Sequence, residues 1–266
     1  MIFGICAAAR IIEYFVLKTD ETFLAENFIH KVFGIVLLLT VMTVMHLKWR
    51  DIGFKREKAL SCFCIGVLLG VVCFAVSYAV EIAVLSAKSL NPRLMVYASG
   101  FSLSGNAINQ TGIGFVLLCI IFNIVNVWME EGVFRGLFLN ILSIKYSFWT
   151  ANILAALLFG IWHWVMPLRS YLEGESTLGN LLVMGIGYII LAGIMSIKWG
   201  VLYKMTGSLL AGAGDHLFNN VVATNLLHVV SDSGADELQI IRIMLAQLLS
   251  FAVVMLIFCK RKKTAE

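Results

Sequence analysis

The stretch Trp128-Met129-Glu130-Glu131-Gly132-Val133-Phe134-Arg135-Gly136 places two adjacent carboxylates and a guanidinium inside one of the most apolar parts of the chain. Ile113-Gly114-Phe115-Val116-Leu117-Leu118-Cys119-Ile120-Ile121-Phe122 lies ahead of it and Leu137-Phe138-Leu139 behind it. Flanks of that kind make the stretch part of a membrane-crossing helix. A charge held there costs roughly 2.5–3.5 kcal/mol on insertion scales and is usually kept for function. The remainder of the sequence reads as scaffold around it.

Working outward, 60% of the 266 residues are hydrophobic and 14% charged, against about 45–50% and about 25% in soluble domains. Runs of about 20 apolar residues recur along the whole length, the size needed to cross a bilayer. These features predict an all-α, polytopic transmembrane helix bundle, one integral membrane domain over 1–266 with a core over 112–230. About eight spans are expected, near 2–17, 31–47, 59–86, 112–142, 148–166, 180–197, 208–230 and 239–259, or seven if the first segment, with Arg10 and Glu13, lies in the interface. The fifth is expected to stop at Pro167. Strand-like alternation is missing, and helices satisfy their own backbone in lipid. Residues 87–111 read as a Ser/Asn/Gly-rich link.

Loop charges set the orientation. Placing 47–58, 143–147, 198–207 and the tail on one side collects twelve Lys and Arg residues, against five on the other. That puts the C-terminus in the cytoplasm. The net charge of +4 is spread over membrane-flanking loops, and no nucleic-acid-binding signature is present, so nucleic acid is not an expected partner. The six cysteines all fall in apolar segments and read as small packing residues.

Besides the Glu pair, four intramembrane residues stand out at helical spacing: Phe159 with His163, and His216 with Asn220. Glu131 and Arg135 are also four apart and can pair, which leaves Glu130, about 100° away on the face of Asn126, free for chemistry. Depth agrees. Counted from the turn at 143–147, Glu130 lies about 20 Å and His163 about 24 Å into the membrane, and His216 and Asn220 lie about 12 and 18 Å into their own span. All four can line one cavity.

In that order, E-E-x-x-x-R (Glu130, Glu131, Arg135), F-x-x-x-H (Phe159, His163) and H-x-x-x-N (His216, Asn220) resemble the three motifs of the CPBP family. That family comprises CAAX proteases, including the type II CAAX prenyl endopeptidase, and bacterial proteins of bacteriocin processing and immunity. Arg50-Asp51-Ile52-Gly53-Phe54 is loosely similar to a further stretch of relatives. The resemblance implies an intramembrane glutamate endopeptidase without a cofactor: Glu130 and His163 activate a water, His216 and Asn220 hold the carbonyl oxygen, and Glu131, Arg135 and Phe159 orient them. It implies a peptide or protein substrate, prenylated or a leader or pheromone peptide. The compact body, with little loop insertion, points to a bacterial plasma membrane. The alternatives are a zinc peptidase using a Glu with His163 and His216, a non-catalytic scaffold or immunity protein, and a proton-relay transporter.

Overall fold

In a computed structural model, residues 1–22, 26–99 and 111–265 are described; most of the polar link expected at 87–111 therefore lies outside the described residues. The body is helical: α1 (Ile2–Ile12), α2 (Ile29–Val44), α3 (Ala59–Ala87), α4 (Ile113–Glu130), α5 (Leu139–Lys145), α6 (Phe148–Trp162), α7 (Val165–Leu172), α8 (Leu178–Thr206), α9 (Leu210–Phe218) and α10 (Gln239–Ala265). Besides a five-residue π turn at Glu13–Leu17, two longer stretches wind as π-helix among the described residues, Glu131–Phe138 between α4 and α5 and Asn219–Leu226 after α9. Among the described residues, five helical stretches are long and apolar enough to cross a membrane: Ala59–Ala87, Ile113–Lys145, Phe148–Leu172, Leu178–Thr206 and Gln239–Arg261. This is an integral membrane protein of the expected helical class.

The other three expected spans differ. Helix α2 has 16 residues, about 24 Å, short for a hydrocarbon core of about 30 Å. The first segment is 11 residues of α1 followed by a five-residue π turn, Glu13–Leu17. Glu13 is fully buried, and its carboxylate accepts from the backbone N–H groups of Ile29 (2.7 Å) and His30 (2.6 Å). It thereby caps the N-terminus of α2, where those groups have no helical partner and the helix dipole favours an anion.

The expected seventh helix, 208–230, is a correction. Helix α9 ends at Phe218, the chain passes through π turns, and Leu227–Ser231 becomes strand β2. It pairs antiparallel with β1 (Arg93–Val96), Val96 facing Leu227, and with β3 (Gly234–Ala235). The run Val221-Val222-Ala223-Thr224-Asn225 is rich in residues that crowd a helix or hydrogen-bond their own backbone, and His-Val-Val is extended-chain sequence.

Two smaller expectations also change. Pro167 does not stop the fifth span. The helix breaks at His163–Trp164, and Pro167 sits in the first turn of α7, where its missing N–H costs no bond. Residues 198–206 belong to α8, and Lys198 is 0% exposed, so it is not a loop charge. The grouping by end is otherwise coherent in space: Trp149, just past the turn at 147, packs edge-on against Phe258 near the tail, at 5.6 Å. At the other end Arg169 gathers Asp20 (2.8 Å), Glu21 (2.7 Å) and Glu173 (3.0 Å). Burial alone would raise Glu173, but hydrogen bonds from Lys18 and Arg169 outweigh it and hold its carboxyl below the ordinary range.

What brings the site helices together is the contact of α3 with α9. A Cβ on Gly66 would lie 2.0 Å from the Ala211 carbonyl oxygen, and one on Gly214 would lie 2.3 Å from that of Phe63. Backbones meet there directly, as small residues permit in membrane bundles. Replacing Gly66 or Gly214 by Val is expected to lower the melting temperature and the yield of folded protein in detergent. Gly114→Ala, where an added Cβ meets nothing within 4 Å, should leave both unchanged; equal behaviour of the three variants would refute the close-contact account.

Candidate active site

The Glu130–Glu131 pair sits at the junction where α4 gives way to π-helix, and His216 lies two residues before the second such junction, at Phe218–Asn219. π turns are rare and occur frequently at functional sites. The widened turns free carbonyls, and side chains satisfy several: Asn140 Nδ2 donates to Gly136 O (2.5 Å), Thr224 Oγ1 to Asn219 O (2.8 Å) and Asn225 Nδ2 to Asn220 O (2.7 Å).

Glu130 and Glu131 are both buried and reach opposite sides of one ring. Glu131 Oε1 lies 2.9 Å from His216 Nδ1, and Glu130 Oε2 lies 3.5 Å from His216 Nε2. A carboxylate only accepts, so Nδ1 carries a proton toward Glu131 and Nε2 faces Glu130. Trp162 Nε1 donates to Glu130 Oε1 at 3.0 Å and Asn126 Nδ2 to Oε2 at 3.4 Å. Asn123, three residues before Asn126, donates from Nδ2 to the carbonyl of Cys119.

His163 lies in the break between α6 and α7. Its Nδ1 is 2.8 Å from the Phe159 carbonyl, which can only accept, so the neutral ring keeps its lone pair on Nε2. Glu130 interacts electrostatically with both His163 and His216. His163 is partly exposed, as are Asn126 and Asn220, whereas Glu130, Glu131 and His216 are buried.

Arg135 is held chiefly by rings. Its Cζ lies 4.0 Å from the Phe159 centroid and 4.7 Å from that of Trp199, both cation–π contacts, while the pair with Glu131 is long, at 3.5 Å. Trp199 stacks on His216 with centroids 4.0 Å apart and planes 16° from parallel. Phe159 and His163 share one face and touch edge-on at 4.7 Å.

Sequence reading missed the support beneath Asn220. Asp215 accepts from Trp199 Nε1 (2.7 Å) and pairs with Lys198 Nζ (2.6 Å). Lys198 also donates to Gln247 Oε1 (2.5 Å) and Ser250 Oγ (2.7 Å). Because an ammonium only donates, it fixes the sense of a chain of amides. Gln247 must accept at oxygen and donate onward to Asn219 Oδ1 (3.0 Å), and Asn219 Nδ2 donates to Asn220 Oδ1 (2.9 Å). The chain ends with the NH2 of Asn220 as a donor. A signal existed in Lys198 lying inside an otherwise apolar run. Among the described residues, no three His, Cys, Asp or Glu side chains are grouped so as to hold a metal ion.

This set of residues has a counterpart. Residues 112–222 match the family described as Type II CAAX prenyl endopeptidase Rce1-like. The Rce1-like segment runs from the start of α4 through α9 into the second π stretch, so it contains all three motifs. A comparison with curated proteins gives no match.

Lys198 and Asp215 form a buried pair, and removing one member leaves the other charged in a low dielectric. Lys198→Met is expected to cost about 3–5 kcal/mol of stability, read as a lowered melting temperature in detergent. A change within error of wild type would remove Lys198 from the support of the site.

Proposed function

We propose that the protein is an intramembrane endopeptidase of the CAAX type, cutting a peptide bond near the C-terminus or leader of a membrane-associated peptide or protein. The observation that carries the reading is the set of Glu130, Glu131 and His216 inside the bundle with His163 within electrostatic reach. The Rce1-like match over the same residues supports it.

In this reading Glu130 is the general base. Its carboxylate is aimed by Trp162 and Asn126 and, with His163 Nε2 as second acceptor, removes a proton from a water as that water attacks the scissile carbonyl. Charge then develops on the carbonyl oxygen, where the Asn220 NH2 and the His216 ring stabilise it without reorganising, and as the intermediate collapses the C–N bond breaks and the proton held by Glu130 passes to the leaving amine. For His216 to donate from Nε2 it must hold a proton on each nitrogen. Glu131 is more than the partner of Arg135: it orients His216. The chemistry needs no metal ion. The protein resides in a bacterial plasma membrane with its tail in the cytoplasm, a placement supported by the surplus of Lys and Arg at the end where the 47–58 loop and the tail lie.

Glu130→Gln keeps the shape of the side chain and removes the base. It is expected to lower cleavage of prenylated CAAX or leader peptides by about 10²–10⁴ while the protein still accumulates in the membrane. Wild-type activity should survive prolonged incubation with a strong chelator. Loss on chelation that zinc reverses would favour a metallopeptidase, and undiminished cleavage by Glu130→Gln would refute the assignment.

Asn219→Asp tests the amide chain. A carboxylate only accepts, so Asn220 must turn its NH2 toward Asp and away from the substrate. Activity is expected to fall by about 10²–10³, the usual worth of one oxyanion donor, in protein that still folds and accumulates in the membrane. Full activity in a folded Asn219→Asp protein would show that the chain does not set the donor.

A further inference from the structure

Four long helical stretches begin or end at Ala59, Lys145, Phe148 and Thr206, and residues at or near these ends line one cleft. Ends of membrane-crossing helices belong at the boundary between hydrocarbon and water. Exposed side chains there mark it in the usual way: Tyr146 and Trp149 are 40% and 39% exposed, beside Ile144 at 82%. Between these ends lies an open cleft of about 410 Å³, lined in part by Lys55, Asn140, Ser143, Tyr203, Lys204 and Gly207. Its size is within the roughly 300–1,000 Å³ of small-ligand sites.

The lining has a definite chemistry. Among the described residues neither the Lys55 nor the Lys204 ammonium meets a carboxylate; Lys204 Nζ rests 5.4 Å from the Phe148 ring. The backbone of Gly207 turns at a φ of +70°, and a Cβ there would sit 3.5 Å from Lys55 Nζ, so glycine keeps the approach to that ammonium open. The Ser143 hydroxyl adds a donor, and Tyr203 with Asn140 closes the floor through a 3.4 Å hydrogen bond. Three buried cations elsewhere in the described residues do find an acid: Arg169 with Asp20, Lys198 with Asp215 and Arg242 with Glu81. Two ammonium groups over one cleft, with hydroxyls and no acid, call for a doubly coordinated anion.

We propose that this cleft seats the phosphate of an anionic membrane phospholipid. The phosphodiester bridges Lys55 and Lys204, the polar headgroup reaches Ser143, and the acyl chains leave along the exposed face at Ile144 and Trp149. A lipid is favoured over a soluble phosphate ester because the cleft opens at headgroup depth beside apolar surface, where basic pockets between helices collect such headgroups. The site stands apart from Glu130 and does not depend on the peptidase reading. Bound there, a lipid ties the 48–58 loop to the ends of α5 and α8, and Asn140 on α5 also caps the π segment that follows the Glu pair.

The test uses full-length delipidated protein in detergent, with native mass spectrometry after incubation with phosphatidylglycerol or phosphatidylcholine of matched chains. Wild type is expected to retain phosphatidylglycerol preferentially, and Lys55→Gln with Lys204→Gln to lose that preference on the order of tenfold. Arg56→Gln with Lys58→Gln removes equal charge from the same loop outside the cleft and should keep it. No preference in wild type, or the same loss in both double variants, overturns the site. A parallel arm with sn-glycerol 3-phosphate separates the sources: stabilisation equal to that by phosphatidylglycerol at the same concentration would overturn the lipid and leave a soluble phosphate ester.

Discussion

The guanidinium of Arg135 is the fixed point of the bundle. It lies over the rings of Phe159 on α6 and Trp199 on α8, at 4.0 and 4.7 Å, while its own backbone belongs to the π segment beyond α4. None of its three nitrogens has a hydrogen bond, so the aromatic faces and the Glu131 carboxylate, 3.5 Å away, hold the charge. A buried cation retained this way cannot drift, because every displacement loses either a ring face or the counter-charge. Glu131 is fixed in turn, and through it His216. Trp199 closes the loop, since it touches Arg135 with one contact and stacks on His216 with another.

Charge bookkeeping explains why the second polar layer exists. His216 lies near the end of α9 and Asn220 in the π stretch that follows it, inside the bundle, where water does not define which way an amide faces. Lys198, whose three protons go to Asp215, Gln247 and Ser250, imposes a direction that passes through Gln247 and Asn219 to Asn220. A neutral residue at 198 would let each amide flip independently. A buried ion pair is weak evidence for stability alone, but it can specify one arrangement among several of similar energy.

Much of this was legible in the sequence, and for physical reasons. Glu130, Glu131, Arg135, His163 and His216 announced themselves because hydrocarbon context makes a charge or an imidazole expensive, and depth counting allowed Glu130, at about 20 Å, and His216, at about 12 Å, to line one cavity; they lie 3.5 Å apart. Partners that are cheap in any context gave no signal: Trp162, Trp199 and Gln247 look like ordinary residues of apolar helices. The assumption of unbroken helices failed where the backbone carries the chemistry. The break after Trp162 frees His163 from a regular turn, and Leu227–Ser231 leaves the membrane body as a strand. Lys198 was misread as a loop charge because hydropathy averages cannot tell a helix end from a polar residue paired inside.

The first hundred residues also do more than span. Arg10 lies over the Trp162 ring at 4.4 Å and His30 packs on the same ring at 5.6 Å, and Trp162 is the residue that donates to Glu130. Glu13 caps α2 and contacts His30 through Nδ1 at 2.5 Å. The N-terminal bracket therefore sets the position of the indole that aims the central carboxylate. This arrangement gives a reason for the buried Arg10 and Glu13, two costly charges in a segment too short to be a firm span. They lie outside the Rce1-like segment, yet both bear on it through one side chain, because Arg10 and the Glu13-bound His30 pack on the indole that donates to Glu130.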